Sequence, residues 1–327
     1  MSIKIQLPMG TKHTDEELAF IREMGVSFSN LNVMPDEATY ENVMAVMERY
    51  AKYDIAVSDL ACPPLQKNAS IILGKPNRDV EIDKFIDFIE LAAKVKVPIV
   101  SVAWQPNGIF RTGVAARPHT RGGRSAYADL KEIEARPVSN DREYGMEEIW
   151  GNFHYFLEKV IPVCEENGVR LALHPNDPPV KSLGGVASLI YNTETYRKAF
   201  ALAKESPALG MKLCVGCWLE GGNQFGNLMQ DIRTFCEQDK VLVVHFRNVS
   251  STLPYFEETL SEDGYANMYE IMKQFVACGY QGYMSIDHAF KGYPEMGGML
   301  GACAYPTGHM KGLLHAAEIE TRWQNKV

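Results

Sequence analysis

A chain of 327 residues with 46% hydrophobic and 23% charged residues has the composition of an ordinary globular protein that can bury a large core. Its formal net charge of −8 makes nucleic acid a poor partner, because proteins that bind phosphate backbones usually carry the opposite balance. No stretch approaches the roughly 18 apolar residues that predict a membrane span, so we expect no membrane partner.

Along the chain, amphipathic segments alternate with short apolar, β-branched runs, a pattern typical of βα units and a parallel sheet. Eight strands are predicted, at residues 3–7, 26–31, 55–60, 99–103, 170–173, 210–213, 241–245 and 283–286. The predicted helices are residues 16–24, 40–53, 83–94, 146–167, 193–205, 228–238, 268–278 and about 308–322.

Eight strands alternating with eight helices predict an α/β fold of the TIM-barrel type, (β/α)₈, as a single domain over residues 1–327. An open, doubly wound sheet is the competing fold. It would need a glycine-rich loop after the first strand, where Leu7-Pro8-Met9-Gly10 stands instead. The longest irregular stretch, at about 105–142, follows the fourth strand, and we predict that it is a long active-site loop.

The first ten residues lack a basic flank followed by an apolar segment, so we predict no signal peptide. The chain contains seven cysteines. An odd number of cysteines in a chain without a secretion signal is typical of reduced thiols, and we therefore expect a cytoplasmic protein.

The last four predicted strands end in residues of types that can bind metals. The fifth ends in His174, the sixth in Cys214, the seventh in His245 and the eighth in Asp287, with His288 beside it. Taken singly, each has an ordinary structural explanation, such as a hydrogen-bonded histidine, a packed cysteine or a helix cap. Active sites of TIM barrels lie at these strand ends, and four such donors together favour a site for a divalent metal.

Cys214 and Cys217 form a Cys-x-x-Cys pair. A thioredoxin-like redox role would require this pair at a helix N-terminus in a much smaller fold. The two cysteines are three residues apart, so we expect only one of them to reach the metal. Cys217 is the alternative ligand to Cys214.

The predicted loop contains five basic residues and no acidic residue between its first and last arginine: Arg111, Arg117, His119, Arg121 and Arg124. A solvated basic loop is the ordinary explanation. In a chain of net charge −8, however, guanidinium groups at the active-site rim favour an anionic substrate. We predict that Arg111 and Arg121 bind it, and that Arg247, two residues after His245, is a further group for its carboxylate.

Three of these segments resemble motifs of the mannonate dehydratase family. The matching segments are His174-Pro175-Asn176-Asp177-Pro178-Pro179, Leu213-Cys214-Val215-Gly216 and His245-Phe246-Arg247-Asn248-Val249. The segment 268–272, followed by Gly279-Tyr280 and Gly282-Tyr283, is also similar and leads into Asp287-His288. Order and spacing agree over about residues 171–288.

The resemblance implies a TIM barrel of the xylose-isomerase-like type. It also implies a divalent metal, usually manganese, held by the positions that correspond to His174, Cys214, His245 and Asp287. The implied reaction removes water from D-mannonate, a step of hexuronate catabolism, to give 2-keto-3-deoxy-D-gluconate. Asp177 and Asn248, which lie in the matched motifs, are predicted to bind the substrate.

The chain departs from the family pattern after the last motif. The family reads Asp-His-Gly-Arg where Asp287-His288-Ala289-Phe290 stands, and Asn176 replaces an aspartate. These changes leave the metal ligands intact and affect the substrate and proton-transfer groups. We predict His288 and a tyrosine as the two proton-transfer groups, with Arg247 adding positive charge. Tyr293 is the first candidate for the tyrosine, and Tyr305 is the alternative.

Three other functions remain open from the sequence. A metal-dependent sugar isomerase or epimerase on the same barrel would act on a neutral sugar, for which an arginine-rich loop is unnecessary. A metal-dependent phosphodiesterase would gather more carboxylates and histidines, and a catalytically inactive barrel could bind a sugar acid as a sensor. The mixed ligands also allow Zn²⁺, Co²⁺ or Fe²⁺ in place of Mn²⁺, and a homo-oligomer is compatible with this type of barrel.

Overall fold

A computed structural model of the chain describes residues 2–288 and 298–324. Eight parallel strands close into a barrel in the order β1-β8-β7-β6-β5-β4-β3-β2. They are β1 Lys4–Met9, β2 Phe28–Asn32, β3 Ala56–Ala61, β4 Ile99–Ala103, β5 Arg170–His174, β6 Leu209–Cys214, β7 Val241–Phe246 and β8 Tyr283–Ile286. The predicted TIM barrel is confirmed, and every strand lies where the alternation of apolar runs predicts it.

Eight main helices alternate with these strands. They are α1 Asp15–Glu23, α2 Tyr40–Ala51, α3 Arg78–Lys94, α4 Met146–Asn167, α5 Thr193–Leu202, α6 Leu228–Glu237, α7 Met268–Ala277 and α8 Gly298–Gln324. Local sequence sets several ends: the Thr14 side chain caps α1 in a capping box with Glu17, and Asn267 caps α7. Gly168 ends α4 in the left-handed region, with φ 64°.

The last helix begins at Gly298, ten residues before the predicted start at about residue 308. Pro306 lies inside this helix, although a proline usually marks a helix boundary. Tertiary packing outweighs this local signal, because Cys303, on the first part of the helix, and Met310 beyond the proline are both buried. The predicted boundary was therefore wrong.

The stretch 105–142 is not irregular, which corrects the sequence prediction. Its strands Gly113–Ala116 and Arg124–Asp129 pair in an antiparallel hairpin, joined through a 3₁₀ turn at Pro118–Thr120. The strand Tyr255–Glu257, from the loop after β7, pairs with the second hairpin strand. This partner is more than 100 residues away in sequence, so local patterns could not reveal the sheet.

Shorter elements fill other strand-to-helix loops. Two helical turns follow β3, at Pro63–Gln66 and Ala69–Ile72, and the short helix Leu130–Glu134 follows the hairpin. A small hairpin of Ser182–Leu183 and Val186–Ala187 follows β5, while helix Val215–Gly221 and a 3₁₀ turn at Gly222–Gln224 follow β6.

In residues 2–288 and 298–324, no helix combines the length and apolar composition needed to cross a membrane.

Polar side chains from several strands meet inside the barrel. Ser58 on β3 donates to the side-chain carbonyl of Gln6 on β1, at 2.6 Å. Ser101 on β4 donates to Asp59 on β3 at 3.3 Å, and Lys212 on β6 donates to Ser101 at 2.7 Å. All five residues are buried, so the barrel interior carries a layer of polar groups that hydrogen-bond to one another, although Gln6 Nε2 has no partner among the described residues.

Candidate active site

Three predicted metal ligands lie together at the carboxyl ends of β5, β6 and β7. In this structure, one ligand atom from each of His174, Cys214 and His245 lies within 4.8 Å of the others. The strand register causes this proximity, because Cys214 and His245 are direct partners across β6 and β7. The two imidazole rings are 5.2 Å apart between their centroids. Two imidazoles and a thiol at this spacing form a compact donor set.

Asp287 adds a carboxylate directly after β8. Its Oδ1 lies 3.1 Å from His245 Nδ1, and its Oδ2 lies 3.4 Å from Cys214 Sγ. The four side chains predicted from the strand ends therefore converge on one place. Their donor types, imidazole nitrogen, thiolate sulfur and carboxylate oxygen, are those that bind Mn²⁺, Zn²⁺, Co²⁺ or Fe²⁺.

The hydrogen bonds of the two histidines fit a metal between them. His174 Nδ1 lies 2.7 Å from the carbonyl oxygen of Pro175, and a nitrogen facing a carbonyl must carry the proton. His174 Nε2 then keeps a free lone pair, as a ligand requires. His245 Nδ1 is buried and makes no hydrogen bond of acceptable geometry. A divalent cation would satisfy both nitrogens.

The electrostatics favour the anionic forms of Cys214 and Asp287. Burial and the charge of Asp287 oppose ionisation of Cys214, but the backbone N–H of Cys217, which donates to its Sγ at 3.4 Å, and the neighbouring imidazoles of His174 and His245 hold its pKa well below the usual range. Burial likewise opposes ionisation of Asp287, and the charges of His288, His245 and Arg247 outweigh it and hold that pKa well below normal. Thiolate and carboxylate are the forms that coordinate a metal.

Cys217, the alternative ligand, lies in a different environment. Its Sγ is grouped with carboxylate oxygens of Asp177 and Glu220, all within 4.8 Å of one another and all buried. Both carboxylates are already paired with arginines. Burial and the neighbouring negative charges raise the pKa of Cys217 well above its usual value, which is unfavourable for a metal ligand. The structure therefore places Cys214, and not Cys217, among the histidines.

Arg111 lies in a buried ion-pair network. Its Nε donates to Glu258, its Nη1 to Asp177 and the carbonyl of Phe110, and its Nη2 to Asp177 and Glu220. A guanidinium has five N–H donors, and these contacts use all of them. Arg111 therefore neutralises the carboxylates around it and presents no free donor to the cleft. This geometry does not fit the predicted role of Arg111 in gripping a substrate carboxylate.

Arg247 connects this network to Asp287, one of the candidate metal ligands. Its Nε lies 2.8 Å from Asp287 Oδ2, its Nη1 lies 2.7 Å from Glu220 Oε1, and its Nη2 lies 3.3 Å from Asp177 Oδ2. The side chain is only 2% exposed. Arg247 fixes the orientation of Asp287 and adds positive charge beside it, while Asp177 lies beneath the site as a partner of both arginines.

His288 is held by Glu258, a residue in the loop after β7. His288 Nδ1 lies 2.7 Å from Glu258 Oε1, and its Nε2 lies 3.6 Å from Asp287 Oδ1. Burial opposes protonation of His288, but the carboxylates of Asp287 and Glu258 prevail and raise its pKa to about 9. The ring is therefore oriented and able to carry a proton. Tyr293, the other predicted proton-transfer group, lies outside the described residues.

Two other predicted substrate-binding residues do not reach this centre. Arg121 is 59% exposed at the surface, where it pairs with Glu262 and Asp263. The side-chain amide of Asn248 donates to the carbonyls of Ser261 and Ala266, and its oxygen accepts from backbone N–H groups. Asn248 is fully buried and holds the loop after β7 in place. Neither geometry fits direct contact with a substrate in the cleft.

The contrast between the two arginines gives a prediction. We expect Arg111→Gln to lower the free energy of unfolding by about 3–5 kcal/mol, because it leaves buried carboxylates without their partner. Arg121→Gln, at the surface, should cost less than about 1 kcal/mol. Urea unfolding of both variants measures the difference. Unchanged stability of Arg111→Gln with weaker substrate binding would contradict the network role and restore Arg111 as a substrate ligand.

Two cavities meet at Asp287 and His288. The smaller, of about 150 Å³, is bounded by His174, His245 and polar residues of β4 and β6. The larger, of about 360 Å³, lies toward β1, the hairpin and α8, and its wall is mostly apolar. His288 lines both cavities, so a substrate in either one can contact its ring. Of these two cavities, only the smaller is lined by His174 and His245.

Several residues of the site were missed in the sequence. Glu258 lies in the loop after β7 and Glu220 in the short helix Val215–Gly221, neither in a recognised motif, and only the fold brings them to the arginines. Lys212 could have been found, because it stands two residues before Cys214 on β6 and therefore on the same face of that strand. A charged residue at that position of an otherwise apolar strand indicates a polar site.

The family profile and the similar sequences agree on one family. The family profile of D-mannonate dehydratase (UxuA) matches residues 128–322, more than half of the chain. A mannonate dehydratase of Thermotoga neapolitana is 39% identical over 145 residues, which cover 43% of this chain and 39% of that protein. The first relatives are thus matched over less than half of their own length. A mannonate dehydratase of Shouchella clausii is 25% identical over 318 residues, covering 86% of this chain and 87% of that protein.

A solved structure shares the fold over nearly the whole chain. The crystal structure of mannonate dehydratase from Streptococcus suis serotype 2 superposes with a TM-score of 0.85 and 21% sequence identity. The match covers 98% of this chain and 96% of that one. At 21% identity, this structural similarity supports the barrel fold alone. The assignment to the family rests on the family profile.

Proposed function

Because the chain belongs to the mannonate dehydratase family, we propose that it is a metal-dependent hydro-lyase. In this proposal it converts D-mannonate to 2-keto-3-deoxy-D-gluconate and water. The observation that carries the proposal is the convergence of His174, Cys214, His245 and Asp287. We propose Mn²⁺ as the metal, with Zn²⁺, Co²⁺ or Fe²⁺ as the alternatives that the mixed donor set allows.

The chemical difficulty is the removal of a proton next to a carboxylate. A divalent cation held by the four ligands would supply positive charge that stabilises the extra negative charge formed at that carbon. Arg247 adds fixed positive charge beside Asp287, with its Nε 2.8 Å from Asp287 Oδ2. The electron pair of the broken C2–H bond forms the C2=C3 double bond as the C3–O bond breaks.

His288 is the group that assists the departure of the C3 hydroxyl in this proposal. Its Nδ1 is anchored by Glu258 at 2.7 Å, which leaves Nε2 as the atom that gives a proton to the leaving oxygen. The hydroxyl then leaves as water, and the enol takes up a proton at C3 to become the 2-keto acid. Tyr293 remains a proposal for the group that takes the C2 proton.

All seven cysteines of the chain are free thiols. A thiolate ligand requires a reduced cysteine, which supports our proposal that the protein acts in the cytoplasm.

The test combines metal analysis with product formation. We expect the purified protein to bind about one divalent metal per chain and, with Mn²⁺, to release a 2-keto-3-deoxy acid from D-mannonate. D-Gluconate and neutral ketoses serve as comparison substrates. Bound metal with interconversion of a ketose, and no product from any aldonate, would replace the dehydratase proposal with an isomerase or epimerase.

A further inference from the structure

The small cavity beside the metal-binding residues carries two lysines that the sequence did not single out. Lys67 follows the helical turn Pro63–Gln66 after β3, and Lys212 lies on β6. Both line the cavity of about 150 Å³ that His174, His245, Asp287 and His288 also line. Two lysine side chains therefore line the same space as the candidate ligands.

Lys212 is only partly neutralised. Its Nζ donates to Ser101 at 2.7 Å, and its nearest carboxylate oxygen is Asp59 Oδ2 at 3.7 Å. That oxygen also accepts hydrogen bonds from Asn30 and Ser101. The ammonium group of Lys212 thus has donor capacity left, since an ammonium has three N–H bonds and the structure gives it one close acceptor.

Lys67 has no ion pair within 4 Å and no side-chain hydrogen bond among residues 2–288 and 298–324. It is half-buried in the cavity wall. Burial lowers the pKa of Lys67, and Lys212 adds to this effect, while the more distant carboxylates of Asp177 and Asp287 oppose it. An unpaired, partly desolvated cation is unfavourable unless a ligand compensates it.

The arginines expected to bind an anion are used elsewhere. Arg111 donates all five of its N–H groups to protein acceptors, and Arg247 is paired with carboxylates of the protein. The thiolate of Cys214 and the carboxylate of Asp287 would balance a divalent cation. Lys67, which has no carboxylate partner, and Lys212, whose partner Asp59 is 3.7 Å away, then add positive charge to that of His288 in the lining of this cavity, which favours an anion.

We infer that Lys67 and Lys212 together bind the carboxylate of the substrate and make the site selective for sugar acids over neutral sugars. This inference rests on the proposed function for the identity of the acid. Lys212 anchors the carboxylate from inside the barrel, next to Ser101, and Lys67 closes on it from the loop after β3. The two cations approach the same group from different elements, so neither alone supplies the full selectivity.

The test is equilibrium binding, measured by calorimetry on the Mn²⁺-loaded protein with D-mannonate and with neutral D-mannitol. In Lys67→Gln and in Lys212→Gln we expect Kd for D-mannonate to rise roughly 10- to 100-fold, because a charge-assisted hydrogen bond is lost. Binding of D-mannitol should change less than about twofold. Lys94→Gln, at the exposed end of α3, is the matched control and should bind both ligands as the unmodified protein does.

Circular dichroism and metal content establish that each variant is folded, and Lys67→Gln, at the cavity wall, keeps the test usable if the buried Lys212 variant does not fold. Unchanged Kd for D-mannonate in the folded variants overturns the inference. A lower kcat with unchanged Kd in Lys67→Gln also overturns it, and assigns Lys67 to proton transfer instead. If binding depends on the lysines but no aldonate is dehydrated, the inference stands and the dehydratase proposal fails.

Discussion

Cys214→Ser is expected to lower metal affinity by more than about 100-fold and to abolish measurable dehydration of D-mannonate. Substitutions of groups that only orient a ligand typically cost 10–100-fold, so loss of a ligand should cost more. Serine keeps the size of the buried side chain, and its hydroxyl stays protonated at neutral pH, which makes it a poor ligand. Metal content after dialysis and steady-state turnover measure the two effects.

Cys217→Ser is the matched control for this experiment. Cys217 is the same residue type, three positions further on, and equally buried. It lies against Asp177 and Glu220 instead of the histidines, so its substitution should leave metal content unchanged. The opposite result, with metal lost in Cys217→Ser and retained in Cys214→Ser, would reverse the assignment of the ligand.

The barrel, and the meeting of four donor side chains at its rim, could be predicted because both follow from local order. Apolar runs and amphipathic segments alternate eight times, and parallel strands place their carboxyl ends on one rim. Residues at those ends are therefore close in space, irrespective of the conformation of the loops. His174, Cys214, His245 and Asp287 could therefore be identified without knowledge of a single tertiary contact.

The surroundings of the site could not be predicted in the same way. Arg111 and Glu258 are 147 residues apart in sequence, and no periodic pattern links the hairpin to the strand that pairs with it. The basic loop indicated an anion, but it did not reveal that Arg111 has buried acidic partners. The two lysines that line the small cavity, Lys212 within a strand and Lys67 in another loop, lie outside that basic stretch.

The position of Arg247 could be predicted from the sequence, but its partners could not. The motif around His245 placed Arg247 at the active rim, and the structure has it there. The sequence could not show that its partners are carboxylates of the protein. Because Arg247 holds Asp287, a proposed metal ligand, we expect its replacement to disturb metal binding and catalysis together.

His288→Asn is expected to lower kcat for D-mannonate by about two to four orders of magnitude while metal content stays unchanged. The imidazole contacts the cleft through Nε2 and Glu258 through Nδ1, and an asparagine amide can keep the second contact but cannot transfer a proton at neutral pH. The fold and the ion pairs of Glu258 with Arg111 should therefore survive.

His309→Asn serves as the control. His309 also pairs its Nδ1 with a glutamate, Glu262, at 3.0 Å, but it lies on α8 outside both cavities. Its substitution should leave kcat within about twofold, because surface changes of this kind rarely propagate. Equal activity in His288→Asn and the unmodified protein would remove His288 from the reaction, and the proton for the leaving hydroxyl would then have to come from another cavity residue.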